Sequence, residues 1–137
     1  MIASAVLERD AVIVACAISA GIHAALTPDH FAEGTGAGLG FLGATVLLTL
    51  LVAALTWRPS PAALVGSVAV LAGLIGSYAL AITSGLPLLH PEPEPVDGLA
   101  VFTKAIEAGG LLAAAHLLWR ERPAFALILQ RPKGTLT

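Results

Sequence analysis

Charge is what this chain most lacks. Asp, Glu, Lys and Arg make up 12% of its 137 residues, about half of the ~25% usual in soluble domains, so a solvated globular domain is excluded. The formal net charge is -2 and the few basic residues form no long cluster, which gives no signal for a nucleic-acid partner. A lone cysteine, Cys16, excludes an internal disulfide and a paired-thiolate metal centre. There is no Gly-rich phosphate loop after a strand, and neither a GxSxG elbow nor an HExxH pair occurs. Ser, His and Asp are present but nowhere grouped as a nucleophilic triad, so no template argues for an enzyme.

What the chain has is apolar length. Hydrophobic residues reach 57% and mean hydropathy is +0.88. Four apolar runs cover about 11–27, 39–57, 62–82 and 99–119. About 20 residues of helix cross a ~30 Å hydrocarbon core. The runs lack strict alternation, and lipid tolerates only helices or closed barrels, so the expectation is an all-α bundle of four transmembrane helices in one domain, 1–137. The first run is slightly short, so either its helix starts nearer Ala5 with Arg9 snorkelling or the bilayer thins. Ile13-Val14-Ala15-Cys16 has the look of a lipoprotein cleavage box. However, Glu8-Arg9-Asp10 leaves an apolar lead of only about five residues, under the 7–15 of a signal peptide, and the chain stays apolar after Cys16. Cys16 therefore reads as a small packed hydrophobe.

The connections carry turn chemistry. Thr27-Pro28-Asp29 has the order of cap, first-turn proline and acid that opens a helix, which predicts a short surface helix from Pro28 to Glu33 ending at Gly34. Arg58-Pro59-Ser60-Pro61 predicts a tight turn. His90-Pro91-Glu92-Pro93-Glu94-Pro95 predicts an extended polyproline segment, and Asp97 the N-cap of the last helix. With four crossings Arg9, Arg58, Arg120, Arg122, Arg131 and Lys133 share one side, and Lys104 is the one basic residue on the other. The positive-inside rule then puts both termini in the cytoplasm of a bacterial plasma membrane, with Trp57 and Trp119 at the inner interface. Small residues offer close helix contacts: Gly36 and Gly40, then Ala69, Ala72, Gly73 and Gly76, then Gly109-Gly110. The same faces would serve a homo-oligomer or a larger membrane complex.

Intramembrane polar groups are costly and mark candidate sites. His23 falls roughly 6 Å below the outer end of the first run, and Glu107 roughly 12 Å deep in the fourth. Tyr78 sits at a comparable depth. His30 and Glu33, spaced i,i+3, and the loop from His90 to Asp97 lie above them. Imidazole with carboxylate suits Cu, Zn, Ni or Fe, and bundle helices can project such ligands inward. The candidate metal set is therefore His23, His30, Glu33, His90 and Glu107, with Tyr78 and Asp97 in support. A proton or substrate site without metal uses the same residues. The purely structural alternative pairs His23 with Glu107, Tyr78 adding a hydrogen bond, or pairs Lys104 with Glu107 three residues on. His116 lies near the inner end, too far from His23 to share one iron.

Gly21-Ile22-His23 followed by Thr27-Pro28-Asp29-His30-Phe31-Ala32-Glu33 resembles a stretch found in an uncharacterised family of small four-helix bacterial integral membrane proteins. Gly85-Leu86-Pro87 and Glu94-Pro95-Val96-Asp97, before the helix bearing Glu107, resemble the same family's outer segments. The resemblance covers nearly the whole chain and implies the topology. His23 with Asp29-His30 is also similar in spacing to the first helix of HupE/UreJ nickel permeases, which implies metal handling. Ala24 and Thr27 depart from that pattern, and Pro28 is expected to keep the two histidines off one continuous face. The leading functional expectation is a non-enzymatic membrane protein with a His/Glu ligand site near the outer face. An accessory subunit of a larger complex is the alternative, and an oxidoreductase component the third.

Overall fold

A computed structural model describes residues 2–87 and 91–129, with side chains for 4–87 and 91–120. Four helices follow one another: α1 Ile2–Glu33, α2 Thr35–Trp57, α3 Pro61–Thr83 and α4 Gly98–Leu129. All four are long and apolar enough to cross a membrane. They pack in a ring, α1 against α2 and α4, and α3 against α4 and α2. Successive helices run antiparallel, so one end of the bundle holds the start of α1 with the α2–α3 turn. The other end holds the α1–α2 junction and the α3–α4 loop.

Each helix turns one narrow stripe inward. On α1 this is Val12, Ala15, Cys16, Ser19, Ala20 and His23, and on α4 Thr103, Glu107, Ala114 and Leu117, both at the three-to-four residue spacing of a helix face. Leu48, Leu55 and Leu71 complete the fully buried centre. Leu47, Leu50, Val65, Leu80 and Leu112 are exposed on the outside. Such a continuous apolar exterior is foreign to a water-soluble monomer and suits lipid.

The local signals place the ends. Ser60 accepts a bond from the Ala63 amide and Pro61 opens α3. Asp97 accepts from the Ala100 amide at 2.8 Å at the start of α4, as its N-cap position predicts. Gly85, at φ 71, supplies the left-handed turn after α3 that a side chain would strain. The Glu94 amide then ties the connecting loop back to the Ala81 carbonyl.

One boundary differs from expectation. Residues 28–33 are helical, but they continue α1, with Pro28 inside the helix. Thr27 is therefore no N-cap: its hydroxyl donates backwards to the His23 carbonyl at 2.7 Å. The helix persists through the proline because its last turns are held from outside. Gly38 of α2 leaves the space that the Phe31 ring fills, and His30 stacks on Phe41 at 3.5 Å between ring centroids. At the other end α1 begins well before residue 11, so the early-start alternative holds.

The glycines divide. A methyl group at Gly110 would lie 2.6 Å from Ala15 Cβ, so this residue lets α4 and α1 approach closely. Gly73 and Gly76 meet nothing within 4 Å, and with Ala69 and Ala72 they are exposed. That stripe does not pack the bundle internally.

Candidate functional site

The inward stripes bring polar groups from two helices together at mid-depth. Glu107 is completely buried, as is Ser19, and His23 is 7% exposed. Ser19 Oγ donates to Glu107 Oε1 at 2.6 Å. Lys104 Nζ donates to Glu107 Oε2 at 2.7 Å and to the Leu74 carbonyl of α3 at 3.4 Å. Each carboxylate oxygen thus has one short donor, which is what a charge-bearing group in an apolar interior requires. The i,i+3 spacing of Lys104 and Glu107 predicts this pair.

His23 joins the network through Ser19. Its Nδ1–H donates to the Ser19 carbonyl at 2.9 Å, and Ser19 Oγ lies 3.3 Å from the same nitrogen. His30 repeats the device one step higher, Nδ1 to the Leu26 carbonyl at 2.9 Å. In the neutral form of either ring Nε2 is then the lone-pair nitrogen. Because α1 is continuous, the two histidines, seven residues apart, share a face after all, and Phe41 contacts both rings, His23 at 5.1 Å.

Above this network the four helices enclose a cavity of about 580 Å³. Ile22, Leu26, Ala44, Leu74, Leu86 and Leu99 make its walls apolar. His23, His30, Tyr78 and Lys104 also line it, with Glu33, Glu94 and Asp97. A concave, mostly apolar space with a few convergent polar groups is the usual form of a small-ligand site.

Sequence-predicted residues therefore fare unevenly. His23, His30, Glu33, Tyr78 and Asp97 all reach the cavity wall. Glu107 lies beneath it and reaches His23 only by way of Ser19. Tyr78 adds no hydrogen bond to that pair. Its hydroxyl is buried without a partner among the described groups, and its ring lies 5.6 Å from Lys104 Nζ, the group that takes the free carboxylate oxygen instead. His90 lies outside the described residues. Among the described residues, no three His, Cys, Asp or Glu side chains gather into a group that could hold a metal ion.

Sequence reasoning missed Ser19 and Phe41. Ser19 could have been found from its i,i+4 spacing to His23, which puts both on one helical face. Phe41 carried no signal in an apolar run. At the opposite end, His116 Nδ1 contacts Glu8 Oε2 at 3.0 Å and Arg120 contacts Glu8 Oε1 at 3.3 Å, joining the ends of α1 and α4 far from the cavity. Comparison with protein-family models, curated proteins and solved structures finds no match to this chain.

Proposed function

We propose that the chain is a multi-pass membrane protein that binds a ligand in the cavity at its loop end, without catalysing a reaction. The charge asymmetry of the two ends favours a bacterial plasma membrane with that cavity opening outward. The observation that carries the reading is the cavity itself: apolar walls from all four helices, with two imidazoles and one ammonium converging on it.

Copper, zinc, nickel or iron is the second ligand class, favoured by one specific feature. Both imidazoles are oriented by Nδ1 bonds to backbone carbonyls, the support that metal-ligating histidines commonly have. The outward Ala69, Ala72, Gly73 and Gly76 stripe on α3 favours a further reading, an accessory subunit or homo-oligomer that packs through this face.

Native mass spectrometry and elemental analysis of gently purified protein separate these readings. Retained ligand or metal in the wild type is expected, and its loss in Gly40→Leu, at an exposed position on the wall, with the bundle still folded. A ligand-free preparation held in fixed ratio to another polytopic protein would overturn ligand binding and leave the accessory role.

A further inference from the structure

The sign of charge in the cavity narrows what it can take, granted that it binds a ligand at all. Among the described residues Lys104 is the one lysine or arginine on its wall, while Glu33 and Asp97 line its mouth. Lys104 is also spoken for, its ammonium 2.7 Å from the fully buried Glu107. That pair cancels, and among the described residues no other lysine or arginine lines the wall to meet Glu33 and Asp97 at the mouth. Independently, His23, more than nine-tenths buried, lines the same space with Nδ1 already engaged, so in its neutral form Nε2 carries the lone pair.

An anion entering here would pass the acidic mouth and compete with Glu107 for Lys104. A small metal cation would need converging ligands, and the described residues offer no group of three. An organic cation matches both properties of the cavity, its apolar body against the leucine and alanine walls and its charge toward the carboxylates. We propose that the cavity is a site for a lipophilic organic cation of the ammonium or phosphonium type, held by Glu33 and Asp97 at the mouth and by the His23 lone pair deeper in.

The matched ions tetraphenylphosphonium and tetraphenylborate, alike in shape and opposite in charge, test this on the full chain in detergent, with protein-free micelles subtracted. Saturable, stoichiometric binding of the phosphonium is expected, and none of the borate. Glu33→Gln with Asp97→Asn should weaken phosphonium binding about tenfold, and rising salt should weaken it too. Asn caps a helix as well as Asp does, so the fold should survive, which thermal unfolding checks. Gly40→Leu should abolish binding. Saturable borate binding lost in Gly40→Leu would overturn the cation assignment while keeping the cavity as a ligand site. Saturable zinc binding alone would do the same. Phosphonium binding indifferent to the mouth substitutions would also overturn the assignment. Absence of saturable binding by any of the three probes would overturn the assignment, and a ligand-free native preparation besides would remove the cavity reading itself.

Discussion

At the scale of single residues, Ser19 is the joint on which the buried network turns. It donates to Glu107 through its hydroxyl and receives His23 through its carbonyl. Removing the hydroxyl deletes a bond to a charged group, an effect of about 1.5–3 kcal/mol, yet leaves the carbonyl that orients His23. Removing Glu107 leaves Lys104 without its counter-charge, which is worse, at about 3–5 kcal/mol for a broken buried pair. The expected result is that Ser19→Ala and Glu107→Ala are each destabilising and strongly non-additive, whereas His23→Ala and Glu107→Ala, coupled only through the shared Ser19, are more weakly non-additive. Thermal unfolding in detergent reads this directly, and strong His23–Glu107 coupling would contradict the placement of Ser19 between them. His23, Glu107 and Lys104 were legible in the sequence because an ionisable group in an apolar run stands out. Ser19 was not, since a serine there can satisfy itself on its own helix, as Ser67 does on the Ala63 carbonyl.

At the scale of elements, the helices were legible from apolar length, and the ends from Ser60, Asp97 and Gly85. The break placed at Pro28 was not real. Local rules read Thr27-Pro28-Asp29 as a start signal, but they contain no term for Phe31 seated on Gly38 or His30 on Phe41, contacts with a helix that comes later in the chain. The glycine pattern was ambiguous for the same reason, since spacing does not say which side of a helix meets a neighbour. The structure assigns the sides, and a pair of substitutions checks them. Gly110→Ala sets a methyl against Ala15 and should cost about 1–3 kcal/mol, as overpacking does. Gly76→Ala meets open space and should be neutral or stabilising by up to about 1 kcal/mol through helix propensity. Equal losses at both would mean that the exposed face of α3 is packed against something in the membrane.

At the scale of the whole molecule, the two ends of the bundle differ in chemistry, and that difference predicts its direction in a membrane. Arg9, Arg58 and Arg120 lie at the end where α1 starts, with the exposed rings of Trp57 and Trp119. The cavity, its carboxylates and the proline-rich loop lie at the other. Only helix-flanking lysines and arginines bias insertion appreciably, and Lys104 is too committed to Glu107 to count as a flanking charge. The end with the termini should therefore face the cytoplasm, and the cavity should open to the outside. Single cysteines decide it, introduced as Pro59→Cys in the α2–α3 turn and Val96→Cys in the α3–α4 loop, both exposed. Cys16 is fully buried, and a Cys16→Ala background removes its residual signal. In intact cells a membrane-impermeant maleimide should label position 96 and spare position 59, which becomes reactive only after the cells are opened. Labelling of position 59 from outside would reverse the topology. It would also turn the cavity toward the cytoplasm, so that any organic cation would reach it from the cell interior.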